Sequence, residues 1–292
     1  MATACVTGAS SGIGRSFAEQ LAARGYDLIV TGRRLEKLEE LERDLAERYG
    51  VTTEIRLLEL SERNALEDFA AELATREDLG YLVNNAGYGR GESFTEDSFS
   101  EHERMLAVHV TAPMRLAHAV APVMKAAGAG VIVNVSSLAS LLSSRSSLMY
   151  CATKACLNSF SESLALELGP HGVHVQLLLP GFTHTEFHRD SEVYPGRKRN
   201  RFLLRWMPAP QVVRLSLRDI DRGRIICVPG TANKLLQLLA RQVPRGLRNK
   251  LSSGGISSAF TVDPPTEVAA ADAEQVEEEE SATREKGTGD RS

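Results

Sequence analysis

The 292-residue chain has no long apolar run, few aromatic residues and no strong excess of charge of either sign. Because a membrane-spanning helix needs about 20 consecutive apolar residues, no transmembrane segment is expected. The net charge of −4 gives the chain none of the overall basic character of a nucleic-acid-binding protein. A signal peptide is not expected either, since the first loop of functional interest already begins at Thr7.

Cysteine is also scarce. The four cysteines, Cys5, Cys151, Cys156 and Cys227, show neither metal-ligand nor redox spacing, so no metal site is expected. Two of them lie in apolar strand-like runs and two in a predicted helix. We therefore expect reduced, packed cysteines in a cytoplasmic protein.

The rest of the chain alternates between two patterns. Short β-rich runs that are apolar throughout are separated by longer amphipathic helical stretches, which is typical of a parallel sheet covered on both faces. The sequence therefore predicts an α/β protein, a Rossmann-type doubly wound sheet of about seven parallel strands in a single domain, with ligands at the carboxyl ends of the strands. The expected strands are 2–6, 27–31, 53–58, 81–84, 131–136, 173–179 and 224–228.

The periodic pattern changes after Gly230. A helix is expected over residues 233–243, with its leucines at 235, 236, 238 and 239 packed together. Residues 257–292 are rich in Ala, Glu, Thr and Gly and are expected to form a disordered acidic tail. The predicted organisation is a main domain over 1–228, a helical extension over 229–256 and this tail.

A glycine-rich loop follows the first expected strand. Residues 7–14 read Thr-Gly-Ala-Ser-Ser-Gly-Ile-Gly and lie between an apolar run and a helical pattern. Glycines let the backbone approach a pyrophosphate closely, and the N-terminus of the following helix offers free N–H groups and a positive dipole end to the anion. The strand–turn–helix context therefore predicts a dinucleotide site. Its expected contacts are Gly8, Ser10, Ser11, Gly12, Ile13 and Gly14.

Tyr150 and Lys154 indicate chemistry further along the chain. They lie four residues apart in a predicted helix and therefore share one face. A phenol titrates near ~10, and an ammonium about 5 Å away stabilises its ionised form by something on the order of 3 kcal/mol, or roughly two pKa units. We expect Lys154 to lower the pKa of Tyr150 toward the range of general acid–base catalysis.

Five motifs, taken in order, resemble those of the short-chain dehydrogenase/reductase family. They are the loop at 7–14, Asn-Asn-Ala-Gly at 84–87, Ser137, the Tyr150 and Lys154 pair, and the Pro180-Gly181 dipeptide. Each alone has an ordinary structural interpretation, such as a turn or a solvated helix face, but their joint occurrence at family spacing favours the resemblance. It covers residues 1–228, and the C-terminal extension resembles a subgroup of ketoacyl and long-chain reductases.

The resemblance implies a reaction. It implies hydride transfer between a nicotinamide and a carbonyl or alcohol, with Tyr150 as general acid/base, Ser137 holding the carbonyl oxygen, and Lys154 tuning Tyr150 and holding the ribose. It also implies cofactor contacts outside the glycine-rich loop. These are Glu59 and Leu60 at the adenine, Asn85, Ala86 and Gly87 beneath the adenine ribose, and Pro180, Gly181 and Thr183 at the carboxamide. Tyr150 and Lys154 are also implied to contact the cofactor.

The end of the second expected strand indicates the choice of cofactor. Gly32 stands where relatives that prefer NAD carry a carboxylate, and Arg33 and Arg34 follow it. A guanidinium binds a 2′-phosphate bidentately, so the sequence predicts NADP(H), with Arg15 as a further cation. The alternative is that both arginines are solvated residues at a helix start, although the helix dipole disfavours arginine there.

His109 departs from the family pattern, because it stands where the family usually has an asparagine. That asparagine is thought to support a water in a proton relay to the lysine. A histidine donates, accepts and titrates near neutrality, so it would keep the relay in altered form. The other interpretation is a packed helix histidine without a catalytic part, and the sequence leaves both open.

The substrate is the least defined part. Residues 186–208, which the resemblance identifies as a cover over the substrate, interleave aromatic and aliphatic side chains with cations. They suit an apolar ketone or ketoacyl substrate, and the cations would suit an anionic head group, an acyl carrier or a membrane surface. A helix with one buried and one solvated face explains the same pattern. Because the family often dimerises through helices containing 103–125 and 150–168, a homo-oligomer is a further expectation.

Three functions are compatible with these observations. The leading hypothesis is an NADP(H)-dependent carbonyl reductase or alcohol dehydrogenase. The alternative is a non-catalytic NADP(H)-sensing protein on the same fold, for which His109 is the only support and against which Ser137, Tyr150 and Lys154 all argue. The third is a scaffold that acts through its acidic tail.

Overall fold

The computed structural model describes residues 2–90, 94–141, 143, 147–186 and 206–242. Most of the expected substrate cover at 186–208, part of the expected extension at 229–256 and the whole of the expected tail at 257–292 lie outside these described residues. The described part folds around one large parallel sheet.

Every expected strand is present, with its ends within two residues of the prediction. The strands in chain order are β1 (Thr3–Val6), β2 (Asp27–Gly32), β3 (Thr53–Leu57), β4 (Leu79–Asn84), β5 (Gly130–Val135), β6 (Val173–Leu178), β7 (Thr183–His184), β8 (Met207–Pro208) and β9 (Ile226–Cys227). Seven of them form a sheet of order β3-β2-β1-β4-β5-β6-β9 in which all neighbours are parallel. This confirms the doubly wound α/β prediction, and the reversal of strand order between β1 and β4 creates a crevice at their carboxyl ends.

Helices cover both faces of the sheet. They are α1 (Gly12–Ala22), α2 (Leu35–Tyr49), α3 (Arg63–Ala74), α4 (Phe99–Leu106), α5 (Ala112–Ala127), α6 (Leu148–Leu168), α7 (Ala209–Ile220) and α8 (Thr231–Gln242). Side chains alternate along each strand, so Ala4 and Val6 join a core with α1, α2 and α7, whereas Cys5 joins a core with α3, α5 and α6. Among the described helices, none has the length and apolar character needed to cross a bilayer.

Two irregular features lie near the crevice, and the sequence pattern predicts neither. A π-helical turn over Ala107–Thr111 connects α4 to α5. β7 and β8 form a separate two-stranded parallel sheet, in which Thr183 pairs with Met207. This small sheet places β7, which follows the Pro-Gly motif, beside β8, which immediately precedes α7.

Two packing expectations are wrong. In α8, which begins two residues earlier than expected, only Leu236 packs against a buried cluster, while the leucines at 235, 238 and 239 are exposed. The cysteines are free, but Cys156 is exposed rather than packed.

A buried amide network connects the middle of the sheet to α6. Asn84 Nδ2 donates to Asn134 Oδ1 at 2.9 Å, and Asn134 Nδ2 donates to Ser161 Oγ at 2.9 Å. The two asparagines are directly opposite each other in the β4–β5 pairing. Because both strands end at the crevice, this network holds the two strand ends and the helix that carries Tyr150 in one arrangement.

Replacing Asn134 with alanine leaves Asn84 Nδ2 and Ser161 Oγ each without this buried partner. We expect Asn134→Ala to lower the free energy of unfolding by about 2 kcal/mol, measured by urea unfolding. Asn64→Ala, at an exposed position of α3, is the matched control and should change it by no more than about 0.5 kcal/mol. Equal effects of the two substitutions would show that the network does not stabilise the fold.

Candidate active site at the strand ends

The glycine-rich loop turns sharply between β1 and α1. Gly8 and Gly12 have φ values of +68° and +57°, a region that favours glycine. A Cβ on Gly14 would lie 2.3 Å from the carbonyl oxygen of Gly8, so the turn requires glycine there too. Ser11 stands at the N-cap of α1 without making a side-chain cap hydrogen bond, which leaves first-turn N–H groups available to an anion.

The segment at 84–87 packs directly against that loop. Asn85 Nδ2 donates to the carbonyl oxygens of Thr7 and Gly8 at 2.9 and 3.2 Å. A Cβ on Gly8 would lie 2.9 Å from Cα of Ala86. Two motifs that are far apart in the sequence therefore form one continuous backbone surface.

Arg33 and Arg34 follow β2, and each is paired with a carboxylate. Arg34 Nη1 lies 2.8 Å from Glu186 Oε2, and Arg34 Nη2 donates to Ser10 Oγ at 3.1 Å. Arg33 Nη1 lies 3.3 Å from Glu59 Oε2, and the Arg33 side chain is 62% exposed. Arg34 is thereby attached to the glycine-rich loop, whereas Arg33 extends into solvent.

Glu59, which follows β3, links two arginines. Arg104 Nη2 of α4 lies 2.9 Å from the carboxylate oxygen that also meets Arg33. Burial opposes ionisation, but hydrogen bonds from Arg104 and Ser61 lower the pKa of Glu59. The neighbouring Leu60 is buried. The Glu59 carboxylate is therefore engaged by arginines, and its contact with an adenine stays a prediction.

The expectation that Arg15 adds a cation to the site is wrong. Its guanidinium pairs with three carboxylates on α1 and α2, those of Glu19, Glu40 and Asp44. Arg15 is one turn into α1, and its long side chain reaches sideways to α2 rather than back to the loop. The cations beside the loop are therefore those that follow β2.

Ser137, Tyr150 and Lys154 meet beyond the carboxyl end of β5. The Ser137 hydroxyl is hydrogen-bonded to the Tyr150 phenol. Lys154 lies one turn further along α6, where its Nζ donates to the carbonyl oxygen of Val135 at 2.9 Å. Lys154 is buried, while Ser137 and Tyr150 are partly exposed at the crevice. The structure thus brings together the three side chains that the sequence predicts to be catalytic.

Burial dominates the ionisation of this group. It raises the pKa of Tyr150 to about 12, and the hydrogen bond with Ser137 offsets only part of that rise. Burial also lowers the pKa of Lys154 to about 8. The expected lowering of the Tyr150 pKa is therefore wrong for this arrangement, because the cost of burying a phenolate exceeds the stabilisation it receives.

His109 lies in the π-helical turn and is fully buried. Its Nε2 accepts a hydrogen bond from the backbone N–H of Tyr88 at 3.0 Å, so Nδ1 carries the hydrogen and donates to Thr153 Oγ1 at 3.1 Å. The ring also meets the Tyr150 ring edge-on, with 5.7 Å between centroids. Burial and the nearby charge of Lys154 lower the pKa of His109 well below its usual value.

These contacts favour the interpretation of His109 as a packed, neutral histidine. Both of its ring nitrogens are engaged by protein groups, one after β4 and one on α6. A Cβ on Gly87 would lie 3.1 Å from His109 Nε2 and 3.5 Å from Lys154 Nζ. His109 therefore supports the wall of the crevice beside Lys154.

The helical extension supports the Pro180–Gly181 turn, which the sequence pattern does not predict. A Cβ on Gly181 would lie 2.7 Å from the side chain of Asn233 in α8, and Asn233 Nδ2 donates to the carbonyl oxygen of Pro229. Thr183 is buried, and its hydroxyl donates to the carbonyl oxygen of Gly181 at 3.0 Å. The turn is held from both sides.

Thr185 and Glu186 reach the site, although no motif predicts it and Glu186 is expected only as the first residue of the substrate cover. A Cβ on Gly12 would lie 2.9 Å from Thr185 Cγ2, so Thr185 rests on the glycine-rich loop. Glu186 contacts Arg34 and the Ser11 hydroxyl. Their signal in the sequence is a polar pair shortly after the Pro-Gly motif. Residues 187–205, which contain most of the expected substrate cover, lie outside the described chain.

Comparison with known proteins gives a consistent family. A family model described as short chain dehydrogenase matches residues 2–193. The very-long-chain 3-oxoacyl-CoA reductase of Podospora anserina is 33% identical over 203 residues, which are 67% of this chain and 59% of that protein. Inactive hydroxysteroid dehydrogenase-like protein 1 of Homo sapiens is 33% identical over 204 residues, 67% of this chain and 62% of that protein. The chain thus spans about three fifths of the length of these curated relatives.

A solved structure extends the similarity over most of the described fold. A short-chain dehydrogenase from Sphingobium yanoikuyae in complex with NADPH superposes with a TM-score of 0.75 and 32% sequence identity. The match covers 87% of this chain and 96% of that one.

The low pKa of His109 has a consequence for stability. Below about pH 6.5 an unfolded chain protonates this imidazole while the folded protein does not, so stability falls as the pH falls. Between pH 6.5 and 5.5, we expect the free energy of unfolding of the wild type to fall by up to about 1.4 kcal/mol per pH unit more than that of His109→Asn. Urea unfolding measures both. Equal pH dependence of the two proteins would mean that His109 is protonated in the folded state.

Proposed function

Because the chain belongs to the short-chain dehydrogenase/reductase family, we propose that it is an NADP(H)-dependent oxidoreductase that interconverts a carbonyl compound and an alcohol. The observation that carries the proposal is the meeting of Ser137, Tyr150 and Lys154 beside a glycine-rich loop that opens a helix. The fold alone would not carry it, since one fold hosts many functions.

The described residues fit the cofactor. The open N-terminus of α1 would accept the pyrophosphate, and Arg34, attached to Ser10, would accept the 2′-phosphate. The missing Cβ of Gly87 leaves space beside Lys154, which would hold the nicotinamide ribose. The NADPH complex of the Sphingobium yanoikuyae relative supports the same choice of cofactor.

The residues of this chain donate the proton and stabilise the group that loses it. When bound, the nicotinamide supplies the hydride that adds to the carbonyl carbon. Tyr150 donates its phenolic proton to the carbonyl oxygen, which becomes the hydroxyl of the alcohol. Ser137 donates a hydrogen bond to the same oxygen and keeps it beside the phenol. Lys154, on the same face of α6, stabilises the phenolate that remains.

The protonation states of the site at neutral pH are those needed at the start of reduction. With a pKa of about 12, Tyr150 is protonated at neutral pH and ready to donate. Oxidation of an alcohol would need the phenolate, which is scarce at that pH. With a pKa of about 8, Lys154 is mostly an ammonium at pH 7 and can stabilise the phenolate as it forms.

An apolar ketone or ketoacyl compound is the proposed substrate. The similarity to a very-long-chain 3-oxoacyl-CoA reductase supports this class, although the alignment covers only 59% of that protein. A cytoplasmic location, a homo-oligomer, and contact with an acyl carrier or a membrane surface also belong to the proposal. The second candidate is a non-catalytic NADP(H)-sensing protein, which the similarity to an inactive human relative favours.

Turnover of NADPH with a panel of ketones, aldehydes and β-ketoacyl thioesters tests the enzyme proposal. We expect Tyr150→Phe to reduce turnover by about 10²-fold or more, because the proton donor is lost, and to leave the Kd of NADPH within about twofold. Tyr49→Phe, a partly buried tyrosine at the end of α2, is the matched control and should retain full activity.

Two results would contradict this assignment. Unchanged turnover in Tyr150→Phe would remove Tyr150 from the chemistry. Tight binding of NADPH by the wild type without turnover of any compound in the panel would favour the sensing protein instead.

The choice of cofactor is tested by binding alone. We expect Arg34→Gln to raise the Kd of NADPH about tenfold or more, because a charge-assisted hydrogen bond to phosphate is lost, and to change the Kd of NADH less than about twofold. Fluorescence of the bound nicotinamide measures both constants. Arg15→Gln is the matched control, since the Arg15 guanidinium pairs with carboxylates on α1 and α2. This variant should leave the ratio of the Kd values of NADPH and NADH unchanged.

A further inference from the structure

Glu186 brings a carboxylate onto the phosphate-binding loop. Its Oε2 lies 2.8 Å from Arg34 Nη1, and the Ser11 hydroxyl donates a second hydrogen bond to the carboxylate. Arg34 also donates to Ser10 Oγ at 3.1 Å. Glu186 therefore lies between the cation that follows β2 and the first turn of α1.

The surroundings of the Glu186 carboxylate would also suit a phosphate or another anion. The N-terminus of α1 carries a positive partial charge, and the Ser11 hydroxyl is directed to Glu186 instead of capping the helix. Thr185 rests on Gly12 and so holds the backbone before Glu186 against the loop. A side-chain carboxylate thus occupies contacts that a phosphate group would also use.

The Arg34–Glu186 pair is charged but weak. The hydrogen bond from Arg34 lowers the pKa of Glu186, so the carboxylate is ionised at neutral pH. The two side chains are 46% and 35% exposed, and ion pairs at such exposure contribute little. A phosphate monoester carries up to two negative charges and three acceptor oxygens, so it binds a guanidinium more strongly than a carboxylate does.

We propose that Glu186 is a specificity-determining residue that competes with the 2′-phosphate of the cofactor for Arg34. Binding of a 2′-phosphate requires Arg34 to leave Glu186, whereas a ligand with a free 2′-hydroxyl leaves the pair intact. Glu186 therefore weakens the binding of NADP(H) but not that of NAD(H). It reduces the ratio by which the protein binds NADP(H) more tightly than NAD(H). This inference rests on the proposed function, since it presumes that Arg34 receives a 2′-phosphate.

Calorimetric titration of the full chain with adenosine 2′,5′-bisphosphate and with 5′-AMP tests the inference. The two probes differ only in the 2′-phosphate. We expect Glu186→Gln to bind the bisphosphate about two- to fivefold more tightly than the wild type does, the range that an exposed ion pair allows, and to bind 5′-AMP with unchanged affinity. In an Arg34→Gln background, the same substitution should have no effect on either probe.

Glu40→Gln is the matched control for a general change in charge. Glu40 lies on α2 and pairs with Arg15 and Lys37, so its loss removes one negative charge without touching Arg34. This variant should leave the ratio of the two affinities unchanged.

The outcomes separate this inference from the proposed function. If the wild type binds the bisphosphate no more tightly than 5′-AMP, the NADP(H) proposal fails and the inference fails with it. If the wild type prefers the bisphosphate but Glu186→Gln binds it equally or less tightly, only the competition is overturned, and Glu186 instead orients Arg34. Equal tightening of both probes would also overturn it, because Glu186 would then act on any phosphate at α1.

Discussion

One buried hydroxyl joins the two loops on which the rest of the site depends. Thr7 Oγ1 donates to the carbonyl oxygen of Val83 and accepts hydrogen bonds from the N–H groups of Asn85 and Ala86, at 3.3, 3.0 and 3.1 Å. Because β1 and β4 are parallel neighbours, both chains leave the sheet at the same edge. Beyond the last backbone bond of this pairing, from the N–H of Thr7 to Val83 O at 3.0 Å, the Thr7 hydroxyl accepts the N–H groups of Asn85 and Ala86, so the two loops keep one relative position.

Different forces act on the two sides of the crevice. On one side, where Lys154 and His109 are buried and Tyr150 is partly exposed, desolvation shifts the pKa of each group toward its neutral form. On the more exposed side, Arg34 and Glu59 each form ion pairs, and hydrogen bonds from Arg104 and Ser61 lower the pKa of Glu59. Under the proposed function, proton transfer and anion binding would take place in separate regions of one crevice, each with a different dielectric environment.

The sequence predicted the fold and the grouping of motif residues well, because both follow from periodicity and from the rule that parallel strands end at one edge. It failed where the outcome depends on the partners of a side chain. The engagement of Arg15 depends partly on Glu40 and Asp44, which lie on another helix. The raised pKa of Tyr150 depends on burial, which is a tertiary property. Glu186 was missed because no local pattern marks a carboxylate that meets Arg34 from a distant segment.

The π-helical turn at Ala107–Thr111 changes the direction in which side chains of α5 point relative to those of α4. One additional residue in a turn rotates everything beyond it by about 100° about the axis. Before the turn, α4 directs Arg104 toward Glu59, and after it α5 directs Leu116 and Met124 into the core. Because the turn joins α4 to α5 without a break in the chain of helical residues, one continuous helical segment reaches both Glu59 at the strand ends and the apolar interior of the domain.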